Sequence, residues 1–275
     1  MIDFENYPII IMSCDSYSDI WSPMAQSLDK FWPDCPFPVY LCSETKDFEH
    51  HKIKNLQVGK KMPWAEMTAT VLGMINAENL FYLQEDYILK GPIKTEEIIS
   101  LIEYYEKQKA AYLRLIPFPR PDRVVDPELN IGIINPGSSY RTSLQAAIWN
   151  REVFATILDP EENGWQFERN SVKRSEGISQ GFYSLDINSN LPNKNLHRYP
   201  LDYYSTAVLQ GKWQKEGLKI VKEAGIKIDH RERGYLTRWD FYYYHQKKKG
   251  PSVWLRALTL FDKLIFNRKK TARKF

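Results

Sequence analysis

The sequence predicts an α/β protein built on a mostly parallel β-sheet with helices on both faces. Short apolar runs alternate with amphipathic segments through the first 115 residues, which is the pattern of such a sheet. The predicted strands are residues 7–14, 36–42, 79–83 and 110–115. The helices between them are predicted at residues 19–31, 64–77 and 95–108.

The second half of the chain has a less regular pattern. Pro, Gly, Asn and Asp are frequent in residues 117–141, which predicts a long ordered loop. A helix is predicted over residues 141–158, followed by short strands near 182–187 and 199–206 and a helix near 213–224. No internal repeat or polar linker divides the chain. We therefore expect one domain over residues 1–246 and a C-terminal extension over residues 247–275.

Several functional classes are excluded by missing patterns. The three cysteines form no C-x-x-C pair, which argues against a disulfide framework or a structural zinc site and favours a reducing compartment. The sequence contains no P-loop, no G-x-G-x-x-G and no H-E-x-x-H. No signal peptide is expected, because the apolar run at residues 8–12 follows acidic residues rather than a basic segment, and no apolar stretch approaches the roughly 20 residues of a membrane span. A cytoplasmic protein is expected.

The C-terminal extension carries a strong charge asymmetry. It contains ten Lys and Arg residues against one acidic residue, while the rest of the chain is net acidic. Apolar residues recur at helical spacing between Trp254 and Ile265, and cations crowd the end of the segment. This pattern predicts an amphipathic helix, at about residues 252–267, that lies on an anionic membrane surface. The alternative is a helix docked on the body, and the acidic body argues against nucleic acid as a partner.

Polar clusters follow two of the predicted strands. Residues 13–16 come after the first strand, and Glu85 and Asp86 come directly after the third. In parallel sheets ligands bind beyond the carboxyl ends of the strands, so these clusters mark one edge of the sheet as the working edge. Asp15 or Ser16 would also serve as the N-cap of the following helix, which requires no ligand.

The adjacent carboxylates of Glu85 and Asp86 need a compensating partner. Two acids repel each other at the end of a buried strand, and a hard divalent cation that bridges to a diphosphate would supply the missing charge. A turn with a solvated acid pair is the alternative interpretation.

A second group of aromatic and acidic side chains lies between residues 149 and 168. Trp149 and Trp165 would form aromatic walls for a sugar ring, and Glu162 or Glu168 would accept a proton from an acceptor hydroxyl. The alternative is a helix–turn–helix that packs its tryptophans and leaves its acids in solvent.

Three segments together resemble bacterial GT-A-like glycosyltransferases of the capsule and lipopolysaccharide polysaccharide-biosynthesis type. They are Gln84-Glu85-Asp86-Tyr87, residues 143–149 (SLQAAIW) and residues 162–168 (ENGWQFE). The similarity extends over residues 7–233. It implies a GT-A-like (Rossmann-like) fold and transfer of a sugar from a nucleotide-sugar donor to a glycan or lipid-linked acceptor.

The resemblance also implies roles for single residues. The general base would be Glu168, with Glu162 as the second choice, and a metal would bind Asp86 and Glu85. The nucleotide-sugar site would comprise Ser13, Asp15, Tyr17, Glu85, Asp86, Tyr87, Gln145, Trp149 and Trp165.

One departure from the family pattern concerns the metal. The usual Asp-x-Asp signature is absent from the sequence, and Gln84-Glu85-Asp86 stands in its place. Mg or Mn is the expected cofactor, and a metal-free enzyme would instead need cations at the leaving diphosphate. The candidates for that role are Arg114, Arg120, Arg123 and Arg141.

The expected function is thus an inverting glycosyltransferase in cell-surface polysaccharide biosynthesis, peripheral at the inner face of the cell membrane. Two alternatives remain. One is a non-catalytic nucleotide- or glycan-binding protein on the same scaffold. The other is a sugar nucleotidyltransferase, although the Gly-rich basic loop that such an enzyme requires after its first strand is replaced by Asp15-Ser16-Tyr17-Ser18.

Overall fold

The computed structural model describes residues 2–186, 199–237 and 240. The strands within these residues are β1 (Ile9–Met12), β2 (Val39–Ser43), β3 (Ile53–Gln57), β4 (Asn79–Gln84), β5 (Ile88–Leu89), β6 (Tyr112–Arg114), β7 (Arg123–Asp126), β8 (Ile131–Ile133), β9 (Ala147–Asn150), β10 (Phe182–Leu185), β11 (Tyr203–Tyr204), β12 (Val208–Leu209) and β13 (Lys212–Trp213). The α-helices are α1 (Ser18–Phe31), α2 (Trp64–Met74), α3 (Thr95–Lys107), α4 (Arg151–Thr156), α5 (Gly164–Arg174) and α6 (Lys215–Glu223).

Nine strands form one central sheet in the order β3-β2-β1-β4-β9-β6-β10-β8-β7. Seven of them run in the same direction, whereas β8 and β9 run against their neighbours. Helices cover both faces. The predicted mostly parallel sheet with flanking helices is therefore confirmed.

Each face of the sheet buries its own hydrophobic cluster. Ile9 and Ile11 of β1 pack in one cluster with α1 and α3, while Ile10 and Met12 pack in the other with α2, α4 and α5. Successive side chains of a strand point to opposite faces, so a strand covered on both sides must be apolar at every position. This requirement explains the uninterrupted apolar run of β1, which is buried throughout.

The register of the central strands brings their polar carboxyl ends together. β1 pairs in parallel with both β2 and β4, and Met12 lies opposite Cys42 on one side and Gln84 on the other. The residues that follow these strands emerge at the same edge of the sheet. Because β9 is antiparallel to β4, the segment that precedes β9 reaches this edge as well.

The prediction of a helix over residues 141–158 is wrong for most of that range. β9 occupies Ala147–Asn150, and a helix begins only at Arg151. Ile148 packs in one hydrophobic cluster and Trp149 in the other, so β9 is buried on both faces. Apolar periodicity cannot distinguish such a strand from a buried helix.

Two other regions also differ from the expectation. The long loop predicted over residues 117–141 contains the antiparallel pair β7 and β8 at the edge of the sheet. β3 forms the opposite edge, where its half-exposed pattern gave no apolar run to detect. The extension at residues 247–275 and its predicted helix lie outside the described residues. No helix in the described part of the chain is long and apolar enough to cross a membrane.

Candidate functional site

An open cleft of about 720 Å³ lies at the carboxyl edge of the sheet. Of the site residues expected from the sequence, it is lined by Ser13, Asp15, Tyr17, Glu85, Asp86, Tyr87, Gln145, Trp165 and Glu168. These side chains come from segments far apart in the chain. Their convergence follows from the parallel register of β1, β2 and β4 and from the reversed direction of β9.

Asp15 binds backbone groups of the loop that follows β2. Its carboxylate accepts hydrogen bonds from the amides of Glu44, Thr45 and Lys46 at 3.1–3.2 Å and from the Thr45 hydroxyl at 2.7 Å. Burial alone would raise the pKa of Asp15, but these hydrogen bonds outweigh it and hold the pKa below its ordinary value. Asp15 thus joins the loops after β1 and β2.

The N-cap role considered for Asp15 or Ser16 is wrong. Residues Asp15–Tyr17 form a short 3₁₀ turn, and α1 begins at Ser18 with Tyr17 at the N-cap position. No side chain caps the helix there. The Asp15 carboxylate is used by the neighbouring loop instead.

Glu85 and Asp86 follow β4 at the floor of the cleft. Burial raises the pKa of both carboxyls, and the charge of Asp86 raises that of Glu85 further. Asp86 accepts a hydrogen bond from the Val208 amide at 3.2 Å, which partly offsets the effect of burial. Two adjacent acids held in this way are poised to bind either protons or a cation.

Glu168 is fixed by the segment that precedes β9. Its Oε1 accepts a hydrogen bond from the Leu144 amide at 2.8 Å and another from the Ser143 hydroxyl at 3.0 Å. Burial raises the pKa of Glu168, and these two hydrogen bonds lower it in part. Glu168 is therefore a positioned carboxylate with raised basicity, as proton transfer near neutral pH requires.

The two tryptophans expected to form sugar-binding walls occupy different environments. Trp165, at the start of α5, is 55% exposed and lines the cleft. Trp149 is fully buried and stacks on Phe154 with ring centroids 4.5 Å apart. The expected role of Trp149 as a sugar wall is wrong because β9 places its side chain in the hydrophobic core.

Glu162 does not belong to the cleft. The two terminal guanidinium nitrogens of Arg174 donate to the two carboxylate oxygens of Glu162, at 3.0 Å to Oε1 and 2.5 Å to Oε2. The side-chain amide of Asn170 donates to Glu162 Oε1 at 2.7 Å. The hydrogen bond from Arg174 is the main reason why the pKa of Glu162 lies below its ordinary value. An acid that is buried, paired and strongly ionised is a poor proton acceptor, so Glu162 is corrected from a candidate base to a structural ion pair.

The arginines considered for a leaving diphosphate are also directed elsewhere. Arg114 donates to backbone carbonyls and to Ser184, and Arg141 donates to backbone and side-chain oxygens of Ser175. Arg120 pairs with Asp186. None of these residues, nor Arg123, lines the cleft in the part of the chain that the structure describes.

Tyr17 lies at the rim of the cleft beneath a cation from a late segment. The Arg233 guanidinium lies 4.2 Å from the Tyr17 ring centroid and also pairs with Asp19 on α1. Burial raises the pKa of Tyr17, and the charge of Glu85 raises it further. Arg233 thereby ties the segment after α6 to the start of α1 and restricts the Tyr17 ring.

The charge of the cleft favours a cation. Among the described residues, its lining carries one basic side chain, Lys61, and five acidic ones, namely Asp15, Glu44, Glu85, Asp86 and Glu168. A diphosphate would be repelled by such a surface unless a divalent ion bridged the charges. Carboxylate oxygens are the ligands that Mg²⁺ and Mn²⁺ prefer, so Glu85 and Asp86 fit the expected metal.

A separate cluster of potential metal ligands lies outside the cleft. His50 Nε2 is 3.0 Å and His51 Nε2 is 3.5 Å from the Asp29 carboxylate, which Lys52 also approaches at 3.2 Å. The Lys52 amide donates to His50 Nδ1 at 3.3 Å. That hydrogen bond places the imidazole proton on Nε2, which then donates to Asp29 and is not available to a metal. We therefore interpret this cluster as an ion-pair network.

The sequence alone did not identify several residues that line or support the cleft. Glu44 follows β2 as Glu85 follows β4, so the same rule about strand ends would have found it. Trp64 lines the cleft from the start of α2, and its indole donates to the Tyr82 hydroxyl at 3.3 Å. Tyr203 supports the cleft from a segment 58 residues beyond Gln145, and no local pattern marks it.

No protein-family profile matches the chain, and no curated protein sequence matches it either. Among solved structures, a fragment of S. aureus TarS is similar over 82% of this chain and 67% of its own length, with 13% identity and a TM-score of 0.46. The mannosyltransferase PcManGT from Pyrobaculum calidifontis, in complex with GDP-Man and Mn²⁺, is similar over 75% of this chain and 58% of its own length. The sequence identity between the two chains is 10%, and the TM-score is 0.47.

A cytidylyltransferase from Leptospira borgpetersenii shows a comparable likeness. It covers 70% of this chain and 80% of its own length, with 10% identity and a TM-score of 0.40. The chain spans only 37% of the longer S. aureus TarS chain. At identities of this size the likeness concerns the fold, so the roles of single residues depend on the geometry of the cleft.

Proposed function

We propose that this protein is a nucleotide-sugar-dependent glycosyltransferase that transfers a sugar, with inversion, to a hydroxyl of a glycan or lipid-linked acceptor. The observation that carries the proposal is the pairing of two chemistries in one cleft. Glu85 and Asp86 line it with two adjacent carboxylates that would bind a cation, and Glu168 lines it with a hydrogen-bonded carboxylate that would serve as the base. A sugar nucleotide and an acceptor hydroxyl need these two features together.

The donor would bind at the acidic end of the cleft. Glu85 and Asp86 would hold Mg²⁺ or Mn²⁺, which would neutralise the diphosphate as it leaves. The Tyr17 ring, restrained by Arg233, would contact the nucleoside. Ser13 and Tyr87 complete this end of the cleft, whereas Asp15 supports it by fixing the loop that contains Glu44.

The acceptor would bind between Trp165 and Glu168. The two residues are three positions apart on α5 and therefore lie on the same side of the helix. Trp165 offers an exposed ring for a sugar to stack on, and Glu168 takes the proton of the attacking hydroxyl. The new bond forms from that oxygen to the anomeric carbon as the bond to the diphosphate breaks, and the nucleoside diphosphate carries away the bonding electrons.

The basic extension suggests where the acceptor is found. Residues 247–275 carry ten cations and an apolar periodicity, which would hold the enzyme on an anionic membrane surface. A lipid-linked acceptor embedded in that surface would then reach the cleft. This supports a peripheral location at the inner face of the cell membrane and a role in cell-surface polysaccharide biosynthesis.

The first experiment is a thermal-shift screen of the purified protein against UDP, GDP, CMP and dTDP sugars, each with and without Mn²⁺. Selective binding raises the unfolding midpoint by mass action and identifies the nucleotide. Release of the nucleoside diphosphate, or of CMP from a CMP sugar, in the presence of acceptor glycans then tests transfer. Pyrophosphate release from a nucleoside triphosphate would instead indicate a nucleotidyltransferase, and binding without turnover a non-catalytic protein.

Two variants locate the site. Asp86→Asn should abolish the Mn²⁺-dependent shift and lower turnover by at least a hundredfold, an order of magnitude typical of lost electrostatic stabilisation. Asp29→Asn is the matched control because Asp29 belongs to the His50 and His51 cluster outside the cleft. Turnover by Asp86→Asn within a few-fold of wild type would rule out the proposed diphosphate site.

A further inference from the structure

Three buried tyrosines hold the segment of residues 143–146, called here the cleft segment. The Tyr112 hydroxyl donates to the Ser143 carbonyl at 2.8 Å, and the Tyr87 hydroxyl donates to the Leu144 carbonyl at 3.0 Å. The Ala146 amide donates to the Tyr203 hydroxyl at 3.0 Å. The backbone of the cleft segment is therefore fixed where it borders the cleft.

The hydroxyl proton of Tyr203 has a defined acceptor. The Tyr203 hydroxyl accepts a hydrogen bond from the Ala146 amide and donates its own proton to Gln145 Oε1, 3.0 Å away. The Tyr203 ring is buried and stacks on Tyr87 with centroids 4.8 Å apart, so it cannot turn to another partner. Burial raises the pKa of Tyr203 well above its ordinary value and keeps the proton in place.

This arrangement determines the orientation of the Gln145 amide. An amide has a carbonyl that only accepts hydrogen bonds and an NH₂ that only donates them. With Oε1 engaged by Tyr203, the NH₂ is the group that remains for the cleft. None of the residues in the described ranges accepts a hydrogen bond from it.

We propose that Tyr203 is a positioning residue that locks the Gln145 amide with its NH₂ towards the cleft, so that Gln145 selects a sugar hydroxyl of the donor. The inference rests on the proposed function and adds the group that the enzyme recognises. The cleft is rich in carboxylates, which accept hydrogen bonds, and Gln145 supplies a fixed donor among them. A sugar hydroxyl fits both kinds of group, because it can donate a hydrogen bond to a carboxylate while it accepts one from the Gln145 NH₂.

The kinetic test uses two variants that each remove one hydroxyl. Tyr203→Phe keeps the stacked ring but frees the Gln145 amide to rotate. Tyr112→Phe is the matched control because it removes a hydrogen bond to the same cleft segment without touching Gln145. We expect Tyr203→Phe to raise the donor KM about 3- to 10-fold, the equivalent of one hydrogen bond, with a smaller change in kcat. The same variant should lose preference for the donor over its deoxy analogue.

A second readout does not depend on a substrate. The side-chain NH₂ of Gln145 gives two resonances in an amide NMR spectrum, and their loss in Gln145→Glu assigns them. In Tyr203→Phe these resonances should shift and exchange faster with solvent, whereas in Tyr112→Phe they should stay in place.

The outcomes separate the two levels of the proposal. Equal donor KM and unchanged Gln145 resonances in both variants would overturn the role of Tyr203, even if the wild-type protein transfers sugar. A wild-type protein that binds no nucleotide sugar would overturn the proposed function, and donor selection by Gln145 with it.

Discussion

Asp15 and Glu44 bind each other's backbone at the carboxyl ends of β1 and β2. The Asp15 carboxylate accepts a hydrogen bond from the Glu44 amide at 3.1 Å, and the Glu44 carboxylate accepts one from the Asp15 amide. The reciprocal pair joins two loops that no sheet hydrogen bond connects. The proposed nucleoside end of the cleft is thus shaped by two acids whose carboxylates bind backbone amides.

Removal of the Asp15 carboxylate should therefore destabilise the protein. Asp15→Ala leaves the amides of Glu44, Thr45 and Lys46 without their acceptor, and we expect a loss of about 2 kcal/mol in the free energy of unfolding. Chemical denaturation of the variant and of wild type measures it. Asp47→Ala is the control, because Asp47 lies in the same loop but accepts one exposed hydrogen bond, from Gln57. The free energy of unfolding of this variant should stay within about 0.5 kcal/mol of the wild-type value.

The same contact predicts a pH dependence. The pKa of Asp15 is lower in the folded state than in the unfolded chain, so its contribution is complete above about pH 4, the unfolded value, and declines as the pH falls further. The stability difference between wild type and Asp15→Ala should accordingly shrink below pH 4. A difference that stays constant down to pH 2.5 would show that the carboxylate charge is not involved.

Glu85 and Asp86 predict a pH dependence of stability with the opposite sign. Their pKa values are raised by folding, so the folded protein binds more protons than the unfolded chain, and this pair destabilises the protein as the pH rises from about 4 towards neutral. A divalent cation would replace those protons. The increase in unfolding midpoint caused by Mn²⁺ should therefore grow between pH 6 and 8.5.

Glu85→Gln isolates this effect. The variant should be more stable than wild type at pH 8 without metal, because the cost of burying the Glu85 charge and its repulsion from Asp86 are both removed. It should also respond weakly to Mn²⁺. Thermal unfolding of both proteins across the pH range, with and without Mn²⁺, provides the comparison. An equal Mn²⁺ response in the two proteins would place the cation elsewhere.

Glu168 and Glu162 offer a paired test of the assignment of the base. Glu168→Gln removes the proton acceptor, and we expect kcat to fall by about 10² to 10⁴ while the hydrogen bonds from Ser143 and Leu144 retain an oxygen acceptor. Glu162→Gln breaks the pair with Arg174 and should instead lower stability by about 2 kcal/mol, with kcat near wild type. Reversal of the two outcomes would restore Glu162 as the base.

The part of the fold that the sequence predicted is the part whose pattern is local. β1 and β4 are continuous apolar runs between turn residues, and polar residues follow them at once, so the working edge could be located from Ser13 and Glu85 alone. The roles of Trp149 and Glu162 could not be predicted in this way. Each depends on a partner from another element, namely the packing of β9 between β4 and β6 and the guanidinium of Arg174.

Contacts between cleft residues and residues far away in the sequence likewise cannot be predicted from local patterns. Tyr203 approaches Gln145 only because β11 pairs with β5 beside the end of β4. Arg233 contacts Tyr17 although more than 200 residues separate them. Long-range contacts of this kind follow from the topology, which periodicity and composition do not specify.

The two tryptophans provide the last prediction, because one sequence hypothesis assigned them a common role and the structure separates them. Trp165→Ala removes a ring that is 55% exposed at the proposed acceptor end, so stability should change by no more than about 0.5 kcal/mol while the acceptor KM rises several-fold. Trp149→Ala removes a fully buried ring that packs on Tyr112 and Phe154, and it should lower stability by about 3 to 5 kcal/mol. Denaturation curves and acceptor titrations of both variants measure the two effects. An unchanged acceptor KM in Trp165→Ala would move the acceptor away from α5.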